Sequence, residues 1–83
     1  MNDFYIGMEI YEIIGGRKPY IEPYRITCDD FISNDELYCP NKYIGVCSIR
    51  AADIGVIVFF DYADAEKKLK GMINNVENSN IDK

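Results

Sequence analysis

Apolar and polar residues alternate through residues 8–14, MEIYEII, with Met8, Ile10 and Glu12 projecting to one side and Tyr11 and Ile13 to the other. A period of two in a β-branched, aromatic segment predicts a strand. Gly15-Gly16 closes it, and Gly15 to Lys18 reads as a hairpin connection. The returning run KPYIEPYRITC places Tyr20, Glu22, Tyr24, Ile26 and Cys28 on one face, opposite Ile21, Arg25 and Thr27. Pro19 and Pro23 lack amide hydrogens, so the first half of that run belongs at a sheet edge or a bulge.

Residues 29–36, DDFISNDE, predict a turn-rich connector centred on Ser33-Asn34-Asp35, with Phe31 and Ile32 tucked inward. LYC predicts a short strand and Pro40-Asn41-Lys42 a turn. YIGVCSI, residues 43–49, predicts a further strand in which Gly45 marks a bulge or a close approach of another backbone. Arg50 to Gly55 reads as a loop with one helical turn, and the unbroken apolar run Val56 to Phe60 as a last strand buried on both faces.

The closing helix has the fullest signature. Asp61 is placed as N-cap and Asp64 near the positive end of the dipole, while Lys67, Lys68 and Lys70 fall in later turns. Tyr62, Ala65, Leu69, Met72 and Val76 recur at intervals of three and four, forming one apolar stripe. Gly71 weakens the interior, so the pattern predicts a helix over 62–73 and a frayed, Asn-rich polar tail over 74–83. Together these elements predict one α+β domain, mainly β, over residues 1–73. Its expected form is a small curled antiparallel sheet or SH3-like barrel of four to five strands, capped by one C-terminal helix.

Two stretches, IGMEIYEIIGGR at 6–17 and IRAADIGVIVFFDYADAEKKL at 49–69, carry a resemblance. They are similar to a diffuse set of small proteins of Firmicutes and their phages that open on a "vGdxvYxixxGr" strand-turn and close on "DiGkxVFxTxEEAExxL". The chain departs from that pattern at Val56-Ile57, where a Lys is usual, and at Asp61-Tyr62, where Thr caps the helix. Asp caps as well as Thr, so the implied architecture is unaffected. The resemblance implies a phage or mobile-element origin and no particular activity.

Composition narrows the chemistry. The 83 residues contain no His, so the usual general base near neutral pH and the commonest metal ligand are both missing. Cys28, Cys39 and Cys47 form no CxxC pair and match no standard zinc spacing, so no metal and no cofactor are expected. Met1 to Phe4 leads into strand-like sequence without the basic and apolar regions of a signal peptide, and no segment reaches transmembrane length. The expectation is a cytoplasmic protein of a bacterial host cell with free thiols, at least two of them small core residues on strands. Asp29-Asp30 and Asp35-Glu36 are the densest carboxylates, but Phe31 and Ile32 interrupt any calcium-loop spacing. Gly15-Gly16 is neither a P-loop nor a dinucleotide fingerprint. No enzyme is expected.

The net charge is −5. Residues 1–36 hold the whole excess: Asp3, Glu9, Glu12, Glu22, Asp29, Asp30, Asp35 and Glu36 face only Arg17, Lys18 and Arg25. Such a balance disfavours direct nucleic-acid binding, which relies on Lys and Arg to neutralise phosphate. Seven tyrosines exceed what a small core holds with satisfied hydroxyls, and tyrosine is enriched at interfaces. These features predict a non-enzymatic protein-binding module that presents Tyr11, Tyr20, Glu22, Tyr24, Asp29, Asp30, Asp35 and Glu36 to a basic protein surface. A nuclease or other nucleic-acid-binding protein has that chemistry, which makes an anti-CRISPR-like inhibitor of a bacterial defence system the leading class. Two alternatives are a nucleic-acid- or ribosome-associated small barrel, using Arg17, Lys18, Arg25 and Lys42, and a structural accessory protein that oligomerises through a strand edge or the helix.

Overall fold

In the computed structural model, the backbone is described over residues 4–81 and the side chains over residues 4–73. The chain is α+β and mainly strands. The strands are β1 (Glu9–Ile14), β2 (Tyr20–Arg25), β3 (Phe31–Ser33), β4 (Glu36–Tyr38), β5 (Ser48–Arg50) and β6 (Val58–Phe59). A 3-10 turn spans Ala51–Asp53, and helix α1 spans Tyr62–Ile81. Two antiparallel three-stranded sheets form, in the orders β2-β1-β6 and β3-β4-β5. The expectation was a single curled sheet or barrel of four to five strands; among the described residues no ladder closes the two sheets into a barrel.

β1 is the centre of the first sheet, and its alternation divides the core in two. Ile10 enters a cluster with Ile26, Leu37, Cys39, Ile49 and Val58, which lies between the sheets. Tyr11 and Ile13 face the other way and pack with Ile21, Phe59, Ala65, Leu69 and Met72, which is where α1 docks. Ala65 is fully buried against Ile13 and Phe59. The apolar stripe of α1 therefore does what its spacing predicts from Ala65 to Met72, whereas Tyr62 at its start is exposed. Val76 lies outside the described side chains. The helical backbone continues to Ile81, past the predicted end at residue 73. Whether the tail frays also lies outside the described side chains.

Pro23 fits its edge, since among the described residues β2 pairs only with β1, and Pro19 stands just before the strand. Three other segments differ from the sequence reading. Phe31 and Ile32 are exposed on edge strand β3 instead of tucked inward. Asn34 and Asp35 take φ of 54° and 62°, the left-handed pair of a two-residue hairpin turn, which pairs 31–33 with 36–38. Only Val58 and Phe59 of the 56–60 run join the sheet, and Val56 and Phe60 are exposed. The cause is a tight turn: the amides of Val56 and Ile57 donate to the Asp53 carbonyl at 3.1 and 2.9 Å, which withdraws both amides from strand pairing and leaves the Ile57 carbonyl to accept the Ile13 amide of β1 at 2.7 Å. The predicted strand over 43–49 is reduced to Ser48–Arg50, and residues 43–47 form a loop. Cys39 alone of the cysteines is in the core; Cys28 and Cys47 are exposed and none lies on a strand.

Asp61 caps α1 as predicted, its Oδ1 accepting the Ala63 amide at 3.0 Å. Asp61→Ala is expected to cost about 1 kcal/mol of stability by urea denaturation, with the slope unchanged, and Asp61→Thr to restore most of it.

Candidate functional site

Glu12 occupies the same face of β1 as Ile10, one step along an otherwise apolar row. A carboxylate in that position needs a cation, because burying an unpaired charge costs several kcal/mol. Lys42 supplies it. The two side chains are only 4% and 2% exposed, and the Lys42 ammonium donates to Glu12 Oε1 and to the Ile44 carbonyl. Glu12 Oε2 accepts the Val46 amide at 3.1 Å. Three polar groups of the 42–46 segment are thus satisfied from β1 and from each other. The segment is a loop and not a strand because side chains take the bonds that a neighbouring strand would otherwise take. Gly45 completes the arrangement. Its φ is +76°, and a Cβ there would fall 2.6 Å from the Glu12 carboxyl carbon. The close approach expected at this glycine is therefore made by a side chain.

Pinned at its base, the loop turns its other side outward. Tyr43 is 88% exposed, and Ile44 and Val46 are exposed beside it. A cleft of about 200 Å³ runs between the loop and β2, lined by Glu22, Tyr24, Asn41, Tyr43 and Ile44. Glu22 stands directly opposite Glu12 in the β1–β2 ladder, with Lys42 lining the same cleft. On the far side of the loop, Glu36, Cys47, Arg50 and Asp53 border an open groove of about 550 Å³.

The eight residues expected to meet a partner fall in different places. Tyr20, Glu22 and Tyr24 follow one another along the cleft face of β2, as their spacing predicts. Asp29 adjoins them and accepts the Asn41 amide at 2.9 Å. Tyr24 and Asp30 serve the fold: the Tyr24 hydroxyl donates to Asp30 Oδ1 and Oδ2 at 2.9 and 2.8 Å, and Asp30 also accepts the Thr27 amide at 2.9 Å. Glu36 is similarly occupied, accepting from Tyr38 at 2.6 Å and from Ser48 at 3.2 Å. Asp35 lies apart at the tip of the β3–β4 turn. Tyr11 is on the opposite face of the first sheet, edge-on to Tyr62 at 5.6 Å, with its hydroxyl on Glu9 at 2.8 Å.

Two of the four bases named for nucleic acid are engaged within the fold. Lys42 is buried on Glu12, and Arg25 bonds Glu9 and the Gly7 carbonyl. Among the described residues no group of three or more His, Cys, Asp or Glu could hold a metal ion, and no helix is long and apolar enough to cross a membrane.

Tyr43, Ile44 and Val46 were missed because a β-rich run reads as a strand whether it pairs or not. A signal was nevertheless present. Glu12 interrupts a core row, and Lys42 is the one cation between Arg25 and Arg50. Comparison with protein-family models, with curated proteins and with solved structures finds no match to the chain. What the fold and site define is a small α+β domain that presents one braced, aromatic loop beside the edge strand that carries Glu22.

Removing either ion-pair partner leaves the other charge buried. Glu12→Gln and Lys42→Met are each expected to lose about 3–5 kcal/mol by chemical denaturation, and to release the Val46 amide to fast hydrogen exchange. Burial, aided by the Asp30 hydrogen bond, raises the Tyr24 phenol pKa well above 10.0. The folded chain then keeps a proton that the unfolded chain loses, so this contribution is complete below about pH 10 and falls away as pH rises further. Tyr24→Phe is expected to shorten the alkaline decline of the melting temperature, at a cost of about 1–2 kcal/mol near neutrality.

Proposed function

We propose that the chain is a non-enzymatic protein-binding module that covers a basic surface of a bacterial partner, with the 41–46 loop and the neighbouring face of β2 as its contact. The observation that carries this reading is Tyr43, 88% exposed on a loop whose base is locked by a buried ion pair. Tyrosine has few rotatable side-chain bonds, so on a pinned backbone it loses little entropy on binding, which is the economy of a contact residue. Glu22 and Asp29 flank the cleft with negative charge, and the net charge of −5 steers the chain towards a cationic site.

A protein built to hold nucleic acid offers such a site. The resemblance to small phage proteins favours a nuclease of a bacterial defence system as the partner, with inhibition as the outcome. Charge reversal at Asp30 or Glu36 is no test of this, because both carboxylates hold tyrosines in place. The informative variants are Tyr43→Ala and the pair Glu22→Lys with Asp29→Lys. Each is compared with the parent chain in affinity capture from infected and uninfected bacterial lysates, at low and high salt. The expected result is a basic protein retained by the parent chain and weakened roughly 10- to 30-fold by Tyr43→Ala, with the charge variants removing its salt dependence. Equal retention by the parent chain and Tyr43→Ala overturns the reading.

One observation supports a second reading, self-assembly as an accessory protein. Strand β3 is a sheet edge with Phe31 and Ile32 uncovered beside exposed Tyr5 and Ile6. A monomeric mass by light scattering across a concentration series removes it.

A further inference from the structure

The β4–β5 ladder pairs Tyr38 with Ser48, and the next residue outward on each side is a cysteine. The pairing continues one step, since the Cys39 amide donates to the Cys47 carbonyl at 2.8 Å. Opposed residues of an antiparallel pair stand roughly 4.5–5.5 Å apart at Cα, inside the roughly 4.4–6.8 Å that a disulfide spans; the return bond is replaced here by the Lys42 amide, which donates to the Cys39 carbonyl at 3.0 Å. Cys39 packs in the cluster that holds Leu37 and Ile49, and Cys47, one residue before β5, stands opposite it across the backbone hydrogen bond that joins the two. Cys39 is fully buried and Cys47 exposed, which leaves one thiol at the surface and its neighbour beneath.

We propose that Cys39 and Cys47 form a reversible intramolecular disulfide when the chain meets a small disulfide oxidant such as oxidised glutathione, stapling the base of the loop that carries Tyr43. Cys47 acts first because solvent reaches it. Its thiolate attacks one glutathione sulfur, the oxidant's S–S bond breaks, and one glutathione leaves and takes up a proton. Cys39 then gives its proton to solvent and attacks Cys47 Sγ, and the second glutathione leaves. In sum, two electrons and two protons pass from the protein to the oxidant, giving one protein disulfide and two glutathione thiols.

The second step is the slow one. Burial pushes the Cys39 thiol up to about 11, so closure accelerates about tenfold per pH unit across the range below it. The Cys47 thiol adds to that rise, as expected of a close neighbour. The staple would act on the same segment that Lys42 holds from below, so the loop would be braced at two points. Its formation does not depend on the proposed partner.

The full chain carrying Cys28→Ser, which removes the other exposed thiol, is incubated in glutathione redox buffers at about pH 7.5 and about pH 8.5, acid-quenched and measured by intact mass and peptide mapping. The expected product is a monomer lighter by two hydrogens with the Cys39 and Cys47 peptides linked, formed about tenfold faster at the higher pH and reversed by reductant. Its melting temperature is expected to rise by on the order of 10 °C, as for a short closed loop in a domain of this size. Adding Cys47→Ser, a change at an exposed position that keeps the native circular dichroism, abolishes the product. A glutathione adduct on Cys47 that never resolves, a dimer linked through Cys47, or no reaction overturns the proposal.

Discussion

The ion pair between Glu12 and Lys42 joins residues 30 apart in the chain and almost completely out of water. No ladder connects the two sheets among the described residues, so what relates them is the apolar cluster around Ile10 and Ile49 together with this contact. The apolar cluster is non-directional. The ion pair is not: the carboxylate must meet one ammonium and one amide at once, and Gly45 leaves space for that geometry and no other. Desolvating two charges offsets most of their attraction, so the pair adds little net stability over apolar residues of the same size. Its effect is on specificity, because any other path for residues 40–47 leaves a charge buried alone.

A second economy runs through the tyrosines. Tyr11 donates to Glu9 and Tyr38 to Glu36, each two residues back along a strand and hence on the same face. Tyr24 donates to Asp30 across a turn. In each case a phenol that needs a partner meets a carboxylate, and in each case the phenol pKa is raised. Much of the negative charge in the first 36 residues is therefore scaffolding. Among the described residues, charge left to face a partner is concentrated at Glu22, Asp29 and Asp35, a smaller and more local field than composition alone implies.

The same division appears in the apolar residues. Those with a clear period pack where the period puts them, Ile10 and Ile13 on β1 and Ala65 on α1 buried and Leu69 half-buried. Those in short unpatterned runs divide unevenly: Val58 and Phe59 enter the core while Val56, Tyr43 and Ile44 remain in solvent. A scaffold in which small turns use up the backbone bonds of such runs leaves their side chains available, and this is how an 83-residue domain with a small core still offers aromatic surface.

The alternation of MEIYEII, the glycine hairpin, the proline of the edge strand, the Asp61 cap and the stripe from Ala65 to Met72 were all legible because each arises among residues a few positions apart. Period and capping are local, and they hold in any fold that uses the segment. The loop over 43–47, the outward turn of Phe31 and Ile32, the burial of Cys39 but not Cys47, and the internal use of Asp30 and Glu36 were decided only in three dimensions. Each depends on which distant group arrives to satisfy a charge or an amide once water has been excluded. Desolvation leaves no period in a sequence, so Glu12 shows there as an acid in a strand, and only the packed chain makes it the anchor of the loop.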